Sequence, residues 1–100
     1  MTPVPPRSTL TAFGADPADA PVILIVEDDA VIREATAMTL ERYGFQVRTA
    51  TDGLTGRTAY RSENPDVVLL DVMMPFLDGL SLCREIRAVA TTPIVMLTAR

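Results

Sequence analysis

The sequence predicts an α/β fold, a doubly wound parallel sheet with the strand order 2-1-3-4. From Pro21 onward, segments with strand and helix periodicity alternate through short connections, which is typical of βαβ units. Three of the four strand segments are nearly continuous runs of apolar residues, as strands buried on both faces should be. The second strand is amphipathic and is therefore expected at an edge, and right-handed crossovers then give the stated order.

Four segments carry the strand patterns: Val22–Val26, Phe45–Ala50, Asp66–Leu70 and Ile94–Leu97. In the second of them Phe45, Val47 and Thr49 alternate along the chain, so these three are expected on its half-buried face. Apolar side chains recur at helical spacing in three segments: 32–43, 54–63 and 80–90. Asp29 immediately precedes the first helix as an N-cap, and Gly44 is placed to end it.

Composition limits the functions that are open to the chain. Its 100 residues suffice for one domain, and a hydrophobic content of 48% supports a packed core. The net charge of −4 argues against a general binder of nucleic acid or membrane surfaces. The one cysteine, Cys83, excludes an internal disulfide and fits a reducing compartment. No apolar run has the length of a bilayer span and no secretory signal is recognisable, so a cytoplasmic protein is expected.

The chain divides into two regions of different character. Residues 1–20 hold four of the eight prolines and show no apolar periodicity. They offer too little apolar surface to offset the entropy lost on ordering, so we expect a flexible, proline-rich leader. Residues 21–100 are expected to form the folded domain.

Carboxylates follow two strands that are neighbours in the predicted sheet. Glu27 and Asp28 leave the end of the first strand, and Asp71 leaves the end of the third. The topological switch point lies between these strands, where open α/β sheets bind ligands. Three carboxylates there repel one another unless a cation is present, and oxygen ligands without histidine or thiolate favour Mg²⁺. Alternatively, Asp28 or Asp29 caps the first helix and Glu27 is a solvated flank; we accept capping for Asp29 alone.

Three ordered motifs then carry a family resemblance: ILIVEDDAVIRE (23–34), DVVLLDVMMPFLDG (66–79) and PIVMLTAR (93–100). Together they resemble the receiver domain of two-component response regulators, over residues 22–100. The residues of the second and third motifs are most similar to those of the winged-helix (OmpR-type) transcriptional subclass. The resemblance implies a flavodoxin-like (CheY-like) fold and a regulatory switch that is not an enzyme.

The resemblance also implies the roles of individual residues. Asp71 would accept a phosphoryl group from the phosphohistidine of a sensor histidine kinase. Mg²⁺ would be bound directly by Asp28 and Asp71, through water by Glu27, and by the backbone carbonyl of Met73. Thr98 matches the hydroxyl that moves toward the phosphoryl group as the switch operates.

The sequence departs from the family pattern after the fourth strand. A receiver continues with a fourth helix, a fifth strand carrying a lysine of the site, and a fifth helix, whereas this chain ends at Arg100 and contains no lysine. We therefore expect a C-terminally truncated receiver that reaches DNA only through an output domain outside this chain. With its outer edge uncovered, Ile94–Leu97 is expected to support a homodimer or other strand-mediated self-association.

Two rival interpretations come from other classes of protein. A haloacid-dehalogenase-type phosphatase also places an aspartate after an apolar strand, but it needs a second acid two residues on, where this chain has Met73. A pseudo-receiver would act as a protein-interaction module without being phosphorylated. Glu27, Asp28, Asp71 and Thr98 are all present, which argues against degeneration of these positions but leaves the pseudo-receiver as an open alternative. Separately, Pro75 and Gly79 match the loop that shapes a receiver's site.

Overall fold

The computed structural model describes residues 17–74 and 76–97, and within them seven helices and strands alternate. Their bounds in chain order are β1 Val22–Val26, α1 Ala30–Arg42, β2 Gln46–Ala50, α2 Gly53–Glu63, β3 Val67–Asp71, α3 Gly79–Val89 and β4 Ile94–Leu97. The predicted first and fourth strands are confirmed to the residue. The third begins one position later than predicted, because Asp66 lies outside it: the Asp66 carboxylate accepts the N–H of Val22 over 2.7 Å.

All four strands are parallel and lie in the order β2-β1-β3-β4, which confirms the predicted topology. In the register of the two central strands, Val26 pairs with Leu70. On the other side of β3, Asp71 pairs with Leu97 of β4. The carboxyl ends of β1 and β3 therefore lie side by side, which places the residues that follow Val26 next to Asp71.

The core lies between the central strands and the helices α2 and α3. Leu24, Val26, Val68 and Leu70 are fully buried, and they form one cluster with three further buried residues: Ala50, Leu82 and Ile86. Cys83 packs against this cluster as a partly buried free thiol. The opposite face of the sheet is covered by α1, in which no residue is fully buried.

The prediction for the inner face of the second strand is wrong at one position. Phe45 and Val47 are half-buried as expected, but Thr49 is exposed. Thr49 lies at the rim of an open groove beside α1, together with Met38 and Val47. Because β2 is an edge strand, the helix covers only part of its face.

Helix caps place three aspartates at the carboxyl edge of the sheet. Asp29 accepts the N–H of Ile32 over 3.0 Å, as predicted, and Asp78 accepts the N–H of Ser81 over 2.8 Å. Asp52 begins α2 with a capping box. At the other end of α1, Gly44 has a φ of 95°, which confirms it as the residue that ends the helix.

The predicted leader lies mostly outside the described residues. Of residues 1–20, the structure describes the short 3-10 helix Pro17–Asp19 and the buried residue Ala20. The Gln46 side chain donates to the carbonyl oxygens of Ala18 and Ala20, over 3.0 and 2.9 Å. The boundary between leader and domain stays a prediction. Across the described ranges 17–74 and 76–97, no helix has the length and apolar character needed to cross a membrane.

Candidate metal centre

Three carboxylates meet at the carboxyl ends of the two central strands. Glu27, Asp28 and Asp71 each offer a carboxylate oxygen, and these oxygens all lie within 4.8 Å of one another. The parallel register accounts for this, because Val26 pairs with Leu70 and the next residues emerge at the same level. The structure thus brings together the three acids that the sequence singled out. Their roles as ligands and phospho-acceptor stay predictions.

Two of the three acids are enclosed by protein. Glu27 is 3% exposed and Asp71 is 2% exposed, whereas Asp28 is exposed to solvent. The alternative in which Glu27 is a solvated flank is therefore wrong. Burial, and next a hydrogen bond to Asp71, raise the pKa of Glu27 to about 7, although the N–H of Asp29 donates to its Oε2 over 3.2 Å and acts in the opposite direction. Near neutral pH, a substantial fraction of Glu27 therefore remains protonated in the cation-free protein.

Main-chain contacts fix the two turns that carry the acids. The Arg33 side chain in α1 reaches back and donates Nη1–H to the carbonyl oxygens of Glu27 and Asp28, over 3.0 and 3.4 Å. After β3, the N–H of Met73 donates to Oδ1 of Asp71 over 3.1 Å and orients its carboxylate. The position of Arg33 at the site was not predicted from the sequence. A cationic residue one turn into a helix that follows an acidic turn is the signal that could have found it.

Two residues that the sequence analysis assigned to the site, Thr98 and Pro75, lie outside the described residues. Thr98 follows Leu97, the residue that pairs with Asp71. The predicted role of the Met73 carbonyl also stays a prediction, although Met73 lies beside Asp71 as expected. At the end of the loop, the N–H of Gly79 donates to the Val72 carbonyl over 3.1 Å, and the role of Gly79 in shaping the site stays a prediction.

The group of ligands suits a hard divalent cation. Within residues 17–74 and 76–97, the side chains that converge are three carboxylates, and two of them belong to the buried residues Glu27 and Asp71, which share a hydrogen bond through a proton. A cation would replace that proton and relieve the repulsion among the ionised acids. Oxygen ligands of this number and kind fit Mg²⁺, which retains several of its waters.

The chain belongs to the response regulator receiver domain family, whose model matches residues 23–100. Transcriptional regulatory protein CseB of Streptomyces coelicolor is 57% identical over 83 residues, which cover 83% of this chain and 36% of that protein. DNA-binding response regulator MtrA of Mycolicibacterium paratuberculosis is 45% identical over 78 residues, covering 78% of this chain and 35% of that protein. The chain therefore spans about a third of the length of these curated relatives.

Solved receiver domains have the same fold. The BeF3-activated N-terminal receiver domain of RstA from Klebsiella pneumoniae superposes with a TM-score of 0.76 at 37% identity, covering 79% of this chain and 68% of that one. The receiver domain of the Francisella response regulator 1452 gives a TM-score of 0.76 at 34% identity, covering 79% and 66%. The flavodoxin-like, CheY-like fold inferred from the sequence is confirmed.

Proposed function

We propose that this chain is the phosphorylated switch of a two-component system and that Asp71 is its phospho-acceptor. The observation that carries the proposal is the position of the Asp71 carboxylate. It lies at the end of a central strand, buried, within 4.8 Å of two other carboxylates, in a chain of the receiver family. Open α/β folds bind their ligands at the switch point of the sheet, so a buried acid at this point is placed to react with a bound ligand.

In the proposed reaction, one carboxylate oxygen of Asp71 bonds to the phosphorus of a donor phosphohistidine as the phosphorus–nitrogen bond breaks. The electron pair of that bond leaves with the imidazole nitrogen, which takes up a proton. These 100 residues contain no histidine, so the proposed donor is a partner, a sensor histidine kinase. The Met73 N–H holds the acceptor carboxylate in one orientation, which favours in-line approach of the nucleophile.

Asp28, Asp71 and the Met73 carbonyl are the proposed direct ligands of Mg²⁺, with Glu27 acting through water. When bound, the ion would neutralise the charge that gathers on the phosphoryl oxygens. The chain's own contribution is to hold these acids in place: Arg33 fixes the carbonyl groups of the β1–α1 turn. Asp71 is modified once in each cycle, so the proposed function is a switch and not an enzyme that turns over substrate.

The proposed output is control of transcription, because the relatives include proteins named as transcriptional and DNA-binding regulators. DNA would be contacted through an output domain, with Thr98 as the proposed switch hydroxyl that responds to the phosphoryl group. Self-association is proposed through the sheet edge at β4. The cytoplasm is the proposed location, since a reducing compartment preserves the free thiol of Cys83.

Phosphorylation of the purified protein by a small phosphodonor such as acetyl phosphate tests the proposal. With Mg²⁺ present, intact-mass spectrometry should find one added phosphoryl group, and Asp71→Asn should not acquire it. Labelling is expected to be slow, because these 100 residues contain no lysine to neutralise the phosphate. Asp66→Asn is the matched control, because Asp66 precedes β3 at the opposite end of the strand. Equal labelling of the Asp71→Asn variant would place the chemistry elsewhere, and no labelling of the unaltered protein would favour the pseudo-receiver.

A further inference from the structure

A close main-chain approach joins the first turn of α2 to the loop that follows Asp71. This loop comprises residues 72–78, of which position 75 lies outside the described residues. A Cβ atom built on Gly53, the first residue of α2, would overlap the Leu77 carbonyl oxygen and lie only 2.6 Å from its carbonyl carbon. Main-chain atoms cannot rotate away as the end of a flexible side chain can, so only glycine fits between the helix and the loop.

The same loop is fixed again where it enters α3. A Cβ atom on Gly79 would lie 2.9 Å from both the Asp71 carbonyl carbon and the Val72 Cα. Asp78 caps α3 by accepting the N–H of Ser81, which fixes the end of the loop to the helix. The loop is therefore held against the main chain of Asp71 on one side and against the first turn of α2 on the other.

The position of the loop sets the surroundings of the Asp71 carboxylate. Met73, in the loop, donates its N–H to Oδ1 of Asp71 over 3.1 Å. The Met73 carbonyl is also a proposed ligand of the cation. Any shift of the loop away from α2 moves this donor and this carbonyl relative to the carboxylates of Glu27 and Asp28, which directly follow the central strand β1.

We infer that Gly53 is a positioning residue for the site: the absence of its side chain lets the 72–78 loop hold Met73 and Asp71 in their cation-binding and phosphoryl-accepting arrangement. The inference rests on the proposed function and extends it to a residue in another element. Gly53 itself contacts neither the cation nor the phosphoryl group; it acts through the main chain of Leu77. A methyl group at this position pushes the loop away from α2 and weakens cation binding and phosphoryl uptake together.

Gly56→Ala provides a matched control for Gly53→Ala. Both glycines are buried in α2, and each substitution adds one methyl group. At Gly56 the added Cβ would meet side chains instead of main chain, the Val26 Cγ1 atom at 2.9 Å and the Leu82 Cδ2 atom at 3.2 Å. The Val26 main chain is held by hydrogen-bonded neighbours on both sides, so Gly56→Ala strains the core without moving the loop.

The experiment measures Mg²⁺ affinity by isothermal titration calorimetry, the rate of phosphorylation by acetyl phosphate, and the midpoint of urea unfolding. Gly53→Ala should lose about tenfold or more in Mg²⁺ affinity, as changes in groups that orient metal ligands commonly do, and its phosphorylation should slow. Gly56→Ala should retain the affinity of the unaltered protein even where its unfolding midpoint is lower. Unchanged affinity in Gly53→Ala, or an equal loss in both variants, overturns the inference.

The unaltered protein supplies a second measurement should Gly53→Ala fail to fold. In an NMR titration with Mg²⁺, the amide signals of Gly53 and Leu77 should shift together with that of Met73. Shifts at Met73 without any at Gly53 and Leu77 overturn the inference and leave the proposed cation site intact. An unaltered protein that neither binds Mg²⁺ nor is phosphorylated contradicts the proposed function, and the inference falls with it.

Discussion

The carboxyl group of Glu27 is almost completely enclosed by protein, and this environment determines its pKa. Removal from water disfavours the ionised form, and the neighbouring acid Asp71 disfavours it further, so the pKa is raised from 4.5 to about 7. Its partner is the proposed phospho-acceptor, so the protonation of Glu27 and the binding of a cation compete for the same space. The free energy of unfolding should therefore depend on both pH and Mg²⁺ concentration.

The stability of the cation-free protein should fall as the pH rises through the titration range of Glu27. A group whose folded-state pKa is raised stabilises the fold fully below its unfolded-state pKa, and this contribution is lost as the pH rises to about 7. With a chelator present, the free energy of unfolding of the unaltered protein should fall by roughly 2 kcal/mol between pH 4.5 and 7 because of Glu27. The Glu27→Gln variant should not show this fall. Urea unfolding at a series of pH values measures it.

Glu34→Gln, at an exposed glutamate of α1, is the control for this measurement and should follow the unaltered protein. Saturating Mg²⁺ should raise stability most at pH values above 7, where Glu27 is ionised and its proton no longer competes with the cation. A pH profile that Glu27→Gln leaves unchanged would contradict the raised pKa.

Phe76 has a main-chain conformation that its side chain disfavours. Its φ of 68° lies in the left-handed region, and its ring is 82% exposed, so little packing compensates for the strain. Phe76→Gly relieves a cost of about 1–2 kcal/mol and adds flexibility to the unfolded chain, so we expect a net stabilisation of about 0.5–1 kcal/mol. The shift of the urea midpoint to higher concentration measures it. As a control, Val89→Gly changes a residue that is also exposed but lies in a helix, and it should shift the urea midpoint to lower concentration. A lower midpoint for Phe76→Gly would contradict the prediction and show that the ring packs against the loop.

Among the elements, the two edge strands of the sheet, β2 and β4, differ in what lies next to them. β2 carries the groove beside α1 on one face, and β4 is paired only with β3 among the described residues. The bounds of β1 and β4 were predicted to the residue because each is a short run of apolar residues with a proline immediately before it. The exposure of Thr49 was not predicted, because alternation along a strand reveals its two faces and not how far a helix covers them.

The outer edge of β4 should mediate self-association of the chain. In the part of the chain that the structure describes, β4 pairs with β3 alone, and Val95 is 49% exposed. Val95→Lys places a charge on that edge and should increase the monomer fraction in size-exclusion chromatography with light scattering. Thr49→Lys, an exposed position on the other edge strand, should leave the distribution unchanged. A monodisperse monomer, or equal effects of the two substitutions, would contradict association through β4.

At the scale of the whole molecule, the topology and the position of the site follow from a few features of the sequence. Continuous apolar runs place β1 and β3 in the centre of the sheet, and an acid at the end of each run places the carboxylates together. The burial of Glu27, the reach of Arg33 and the approach of Gly53 to Leu77 were not predictable. Each depends on distances between elements, which a linear pattern does not contain.

The proposed Mg²⁺ site around Asp71 joins acids that lie at the carboxyl ends of two separate strands. An NMR titration with Mg²⁺ tests it most directly, because each backbone amide reports separately. Saturable shifts should be concentrated at Glu27, Asp28, Asp71 and Met73, with lower affinity in Asp28→Ala and unchanged affinity in the control Glu34→Gln. An absence of saturable shifts at these four positions, or shifts spread evenly over the acidic surface, would contradict it.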